Sequence, residues 1–60
     1  MNPIEAVFDR IAKSVAAGVY TLEAGVNEAE RTIGDLFSGK PHGYDVDKIY
    51  DEVTNRLSQK

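Results

Sequence analysis

The segment that comes closest to a chemical motif is residues 34–41, which reads GDLFSGKP. It matches the phosphate-binding pattern G-x-x-x-x-G-K-[ST] except at the last place, where Pro41 stands. The hydroxyl group at that place ligates Mg²⁺ in nucleotide-binding loops, and proline has no hydroxyl group. The motif also lies between a strand and a helix, whereas these residues follow a helical pattern and lead into a loop. We therefore interpret the segment as the end of a helix and predict no nucleotide site.

The remaining candidates for chemistry are an acidic group and a single histidine. The acids Asp45, Asp47, Asp51 and Glu52 lack the ligand spacing of a calcium loop, and they suit the start of a helix dipole. His42 lies between Pro41 and Gly43 in a turn, and the chain has no cysteine. One histidine without cysteine cannot complete a catalytic triad or a zinc site. The sequence therefore predicts no enzyme, no metal, no cofactor and no small-molecule ligand.

The composition indicates a small acidic protein. Ten acids against seven scattered bases give a formal charge of −3, which disfavours nucleic acid as a partner because such proteins carry a basic stripe. The longest apolar stretch, residues 15–22, is much shorter than the roughly 20 residues that span a bilayer. Glu5 and Asp9 interrupt any signal-peptide pattern. We expect a cytoplasmic protein without a transmembrane segment.

A long helix must position most of these residues. Asn2 can cap it, Pro3 suits its first position and Glu5 suits its third. Apolar residues then recur at intervals of three, four or seven as far as Leu36. Gly39 is a natural C-terminal cap residue and Pro41 follows it. The pattern predicts a helix over residues 3–38.

Two glycines lie inside this helical pattern, in the segment AGVYTLEAGVNEAE of residues 17–30. Gly18 and Gly25 would each destabilise a helix by about 1 kcal/mol relative to alanine. A break is one alternative, in which residues 27–30 cap a new helix that begins after Gly25. However, no proline lies between Pro3 and Pro41, and the apolar period continues in phase through both glycines. We therefore predict a continuous helix.

A second helix is predicted over residues 45–58, capped by Asp45 after the turn SGKPHGY. The fold class is then all-α, a helical hairpin that forms a single domain over residues 1–60. The short helix packs on the second half of the long one. The predicted packing residues are Val26, Ile33, Leu36, Phe37, Val46, Ile49, Tyr50, Val53 and Leu57.

The two helices differ in length, about 50 Å against about 20 Å at 1.5 Å per residue. Such a hairpin leaves the apolar face of the first half uncovered, and a second copy is the simplest cover. The small residues around Gly18 and Gly25 allow two helices to approach closely, which predicts a four-helix dimer or docking in a larger assembly. The predicted interface residues are Ile4, Phe8, Ile11, Val15, Gly18, Leu22 and Gly25.

Three functional hypotheses follow from this organisation. The first is a non-enzymatic structural or interaction protein that self-associates or docks through the apolar face of its long helix. The alternative is a small acidic inhibitor or regulator, of viral or mobile-element origin, that binds a larger host protein. The third is attachment to membrane surfaces by the N-terminal half. Its polar face carries Glu5 and Asp9 beside Arg10 and Lys13, which disfavours membrane attachment because that face should be basic.

Overall fold

The chain folds into three α-helices, and the computed structural model describes residues 2–59. Helix α1 spans Pro3–Ala16, α2 spans Leu22–Leu36 and α3 spans Val46–Ser58. No strand occurs among residues 2–59. The predicted all-α class is confirmed, whereas the helix count differs because the predicted long helix is divided in two. The predicted domain limits, residues 1 and 60, lie outside the described residues.

Helix α1 begins as its sequence predicts. The Asn2 side chain accepts a hydrogen bond from the backbone N–H of Ile4 at 2.8 Å, and Pro3 takes the first helical position. This cap satisfies one of the N–H groups that a helix start leaves without a partner. One face of the helix is buried, namely Ile4, Val7, Phe8, Ile11 and Ala12.

The predicted continuous helix over residues 3–38 is wrong, because the chain turns at residues 17–21. Gly18 adopts a φ of +79°, a left-handed conformation that glycine reaches without the steric penalty of a side chain. Its N–H donates to the carbonyl of Val15 at 3.1 Å, and the N–H of Val19 donates to that of Ser14 at 2.9 Å. These paired bonds form the Schellman motif that ends helices. Gly18 therefore stops α1.

Helix α2 begins at a cap that the sequence analysis did not consider. The Thr21 hydroxyl accepts a hydrogen bond from the N–H of Ala24 at 3.1 Å. The alternative of a new helix capped by residues 27–30 is also wrong, since these residues and Gly25 all lie inside α2. Gly18 and Thr21, three residues apart, together supply a helix stop and a helix start.

The end of α2 lies slightly earlier than predicted. Ser38 takes the left-handed position with a φ of +55°, and Gly39 follows with a φ of +75°. The N–H of Ser38 donates to the Asp35 carbonyl at 3.0 Å, and that of Gly39 to the Gly34 carbonyl at 2.9 Å. The cap position expected for Gly39 thus belongs to Ser38, although the type of helix end is the one expected.

Helix α3 begins at Asp45, as predicted. Its carboxylate accepts a hydrogen bond from the N–H of Lys48 at 2.8 Å. The helix buries Ile49 and Val53 and places Asp47 in its first turn, where an acid suits the helix dipole.

All three helices contribute to one core, whose buried side chains come from α1, α2 and α3 alike. Phe8, Ile11, Ile33, Ile49 and Val53 are its largest fully buried members. The longest dimension of the molecule is 32 Å, which is too short for an uninterrupted helix of about 50 Å. Because α1 folds back on α2 and α3, its own apolar face is buried within one chain, whereas the predicted hairpin exposed that face to solvent.

Candidate functional site

The densest group of charges surrounds Arg56, where α3 faces α1. Its Nε donates to Asp9 Oδ1 at 2.7 Å, and its Nη1 donates to Glu52 Oε1 at 3.0 Å. Glu5 lies further away, at 3.9 Å from Nη2. The guanidinium carbon is 5.2 Å from the centre of the Phe8 ring, within the range of a cation–π interaction.

The environment of Arg56 stabilises its charged form. Burial by itself would lower the pKa of Arg56, but the hydrogen bonds to Asp9 and Glu52 outweigh it and raise the pKa above its ordinary value. Only 19% of the side chain is exposed. A permanently charged group that joins α1 to α3 in this way has a structural role, and it offers no proton for catalysis.

A series of aromatic rings extends from Phe8 to the loop between α2 and α3. Tyr44 packs 5.8 Å from Phe8 and 6.1 Å from His42, whose ring is 5.2 Å from Phe37, with all distances between ring centres. His42 Nδ1 accepts a hydrogen bond from the Tyr44 N–H at 3.0 Å. The Lys48 ammonium lies 5.6 Å from the Tyr44 ring centre. These contacts fix the connection between α2 and α3 against α1.

Gly25 marks the closest approach of α1 and α2. A Cβ atom at this position would lie 2.8 Å from Val15 Cγ2 and 3.1 Å from Ile11 Cγ2, which is shorter than ordinary van der Waals contact. Gly25 therefore allows a close contact between two helices of one chain, whereas the sequence predicted it at an interface between chains. Gly18 has no such role, since a Cβ built there meets nothing within 4 Å.

A groove of about 360 Å³ lies where the start of α1 meets the end of α2. We call it the apolar groove, and its lining residues are Asn2, Pro3, Ile4, Leu36, Phe37 and Tyr44. Leu36 is 52% exposed on its wall. Phe37 and Tyr44 are only partly buried. Leu36 and the two aromatic rings therefore give the groove an apolar wall that is open to solvent.

Three further large apolar side chains face solvent. Val46 and Tyr50 lie one helical turn apart on α3 and are 44% and 47% exposed. Val19, in the turn between α1 and α2, is 71% exposed. Isolated exposed apolar residues are common, but adjacent ones on a helix can form a contact patch.

Residues 34–41 do not form a phosphate cradle. A phosphate-binding loop presents free backbone N–H groups. Here the N–H groups of residues 37–40 donate to backbone carbonyls of the chain at 2.9–3.1 Å. The interpretation of this segment as a helix end agrees with this geometry.

The predicted interface residues are dispersed by the fold. Ile4, Phe8 and Ile11 are at most 8% exposed in the chain's own core, so the argument from an uncovered face was wrong for these residues. Val15 and Leu22 are partly buried at the edge of that core. Gly18 is exposed in the turn, and Gly25 is buried between α1 and α2. The cause is the turn at residues 17–21, which returns α1 to its own chain.

The predicted hairpin residues divide into three groups by burial. Val26, Ile33, Ile49 and Val53 are buried, while Phe37 and Leu57 are partly buried against the core. Leu36, Val46 and Tyr50 are exposed, because α1 occupies part of the volume that the hairpin assigned to them. The ion pair of Asp9 with Arg56 was not predicted from the sequence, because helical periodicity does not indicate which charges of two distant helices meet.

Comparisons of the chain with protein-family models, with curated proteins and with solved structures find no match. Within residues 2–59, the acidic residues and His42 form no cluster that could hold a metal ion. No helix in the same range is long and apolar enough to cross a membrane.

Proposed function

We propose that this chain is a small non-enzymatic interaction protein that binds copies of itself or docks on a larger protein. The surface it uses is the apolar groove with Val46 and Tyr50, in place of the face of α1. We place the protein in the cytoplasm as part of this proposal.

One observation carries the proposal. Four large apolar side chains, Val19, Leu36, Val46 and Tyr50, are 44–71% exposed on a chain of 60 residues. Burying a fully exposed side chain of this size contributes about 1.5–3 kcal/mol, and the half-exposed Leu36, Val46 and Tyr50 can each contribute about half of that to a complex. The rigid helices that present Leu36, Val46 and Tyr50 lower the entropy lost on binding.

Polar substitution of the exposed residues tests the proposal. We expect Leu36→Gln and Tyr50→Gln to weaken association, measured by sedimentation at micromolar to millimolar concentration and by capture of partners from the native cell. Because both side chains are exposed, the free energy of unfolding should change by less than about 0.5 kcal/mol. Asn27→Gln, at an exposed polar position of α2, is the control. Unchanged association in both variants would rule out this surface.

An acidic inhibitor or regulator is a second candidate, and the net charge of −3 favours it. Within residues 2–59, Arg31 is paired with Glu28, and Arg56 with Asp9, Glu52 and Glu5. The exposed acids outside these pairs are Glu23, Glu30, Asp35, Asp47 and Asp51, and the exposed bases outside them are Arg10, Lys13, Lys40 and Lys48. Acids thus exceed bases on the surface, which speeds encounter with a basic partner.

The two candidates differ in their response to salt. A basic partner bound through Asp47 and Asp51 should associate more slowly at high ionic strength, and Asp47→Asn with Asp51→Asn should reproduce that loss at low salt. Association through the apolar groove should change little under the same conditions. Binding that changes neither with salt nor with these two substitutions would exclude an acidic inhibitor or regulator that acts through Asp47 and Asp51.

A further inference from the structure

We propose that the turn at residues 17–21 is a hinge, and that α1 exchanges with the α1 of a second copy when this turn straightens. In the exchanged dimer, α1 and α2 form one helix over residues 3–36, and each α1 packs on the α2 and α3 of the other chain. This inference goes beyond the proposed function, because the exchanged contacts lie on α1 and around Val19 and not on the exposed surface of Leu36, Val46 and Tyr50.

The first support is the sequence on either side of the hinge. The apolar period of α1 continues in phase through the turn into α2, and no proline lies between Pro3 and Pro41. Ala16 and Ala17, next to the turn, have the highest intrinsic helix propensity. The break depends on a single backbone conformation, the positive φ of Gly18, and on the Thr21 cap.

The second support is Val19, the most exposed large apolar side chain among residues 2–59. In the turn it is 71% exposed. In a continuous helix it would join one stripe with Val15, Leu22 and Val26, at intervals of four, three and four residues. Two such helices related by a two-fold axis would bury these stripes against each other. The exchanged dimer thus covers a side chain that the monomer leaves in water.

Exchange also preserves the contacts that hold α1 in the monomer. The packing of Phe8 on Tyr44 and the pairing of Asp9 with Arg56 would recur between chains with the same chemistry. The hinge, which includes Tyr20 at the edge of the core, and the new contact around Val19 differ between the two states. The balance between them is therefore set by the hinge residues and by protein concentration.

A pair of mirror-image residues at Gly18 tests the hinge, in a chain short enough for chemical synthesis. L-alanine disfavours the left-handed conformation and favours helix, whereas D-alanine favours the left-handed conformation with a side chain of the same size. Gly18 is exposed, so neither methyl group enters the core. We expect Gly18→Ala to raise the dimerisation constant at least about a thousandfold, because both effects act once in each chain. The D-alanine chain should form no exchanged dimer.

Thr21→Ala is a second variant that leaves Gly18 unchanged. It removes the cap of α2, and we expect the dimerisation constant to rise about tenfold. Gly34→Ala is the control, since Gly34 is helical in both states and a Cβ there meets nothing within 4 Å. This change should leave the dimerisation constant unaltered.

Sedimentation gives the dimerisation constants, and nuclear Overhauser contacts in dimers of labelled and unlabelled chains identify exchange. A contact between Phe8 of one chain and Tyr44 of the other, in a Gly18→Ala dimer, is the expected result. A Gly18→Ala chain that stays monomeric or unfolds at millimolar concentration would overturn the inference. Dimers without this contact would also overturn it, while leaving association through the apolar groove intact. If the contact between chains persists when Leu36→Gln or Tyr50→Gln is added to Gly18→Ala, exchange does not depend on the exposed surface of Leu36 and Tyr50.

Discussion

Individual residues in this protein differ in their effect according to burial, and its two best arginine pairs show this. Arg56 and Arg31 each have a carboxylate oxygen at 2.7 Å, but 19% of the Arg56 side chain is exposed against 72% of Arg31. Water screens the exposed pair, while the Arg56 pair also joins α1 to α3 and packs on Phe8. Equal distances therefore do not indicate equal contributions to stability.

We expect Arg56→Gln to lower the free energy of unfolding by about 1–3 kcal/mol, because Asp9 and Glu52 lose charged hydrogen bonds. Arg31→Gln, the matched control, should change it by less than about 0.5 kcal/mol. Because the folded-state pKa of Arg56 is raised by its carboxylate partners, its contribution is present at neutral pH and is lost as the pH rises above the ordinary arginine value. Urea unfolding at neutral pH measures both variants. Equal effects would contradict the structural role of Arg56.

Substitution of Ser38, in contrast to that of Arg56, is expected to raise the free energy of unfolding. It is the one non-glycine residue with a positive φ among residues 2–59. Since glycine adopts this conformation without a clashing side chain, Ser38→Gly should raise the free energy of unfolding by about 0.5–1 kcal/mol. Lys40→Gly, where φ is not positive, should lower it slightly by increasing the entropy of the unfolded chain. Thermal unfolding of the two variants distinguishes these signs.

The helices as elements are positioned by their contacts more than by their propensities. Gly25 and Gly34 both lie inside α2, but only Gly25 touches another helix. Gly34→Ala should raise the free energy of unfolding by about 1 kcal/mol through helix propensity. Gly25→Ala should lower it by about 1 kcal/mol, because overpacking against Val15 and Ile11 exceeds the gain in propensity.

The double variant Gly25→Ala with Val15→Ala isolates this helix contact. Removing the Val15 methyl groups makes room for the new Cβ, so the double variant should be more stable than the sum of the single changes predicts. Chemical denaturation of the four chains completes the cycle. If Gly25→Ala alone is as stabilising as Gly34→Ala, Val15 moves aside without resistance and the crossing does not require glycine.

The whole molecule has one core, so its helices should unfold together. Phe8 is 1% exposed, and Phe8→Ala should destabilise the fold by about 3–5 kcal/mol. A chain of this size has only about 3–9 kcal/mol of total stability. We therefore expect concerted loss of all three helices, seen as loss of helical circular dichroism and of dispersed methyl resonances. Val46→Ala, at an exposed site, should leave both unchanged. A variant that loses α1 alone would show that α2 and α3 fold without it.

The sequence by itself determined the all-α class, the start of α1 at Asn2, the cap of α3 at Asp45 and the helical end before Pro41. These features depend on neighbouring residues, whose capping and turn chemistry act over one helical turn. Apolar periodicity also identified the core residues Val26, Ile33, Ile49 and Val53, whereas it assigned the equally buried Phe8 to an interface with a partner. The same periodicity predicted a continuous helix through Gly18, because two helices with a shared phase and one long helix have the same pattern.

Only the tertiary structure decided between these two possibilities. Folding at residues 17–21 allows α1 to bury Ile4, Phe8 and Ile11 on α2 and α3. That burial outweighs the hydrogen bonds of an uninterrupted helix, which water can replace in a turn. Tertiary packing also determines which apolar residues stay on the surface, and these include Leu36, Val46 and Tyr50. Periodicity identifies the apolar residues of a helix, but the packing of distant segments determines which of them remain available to a partner.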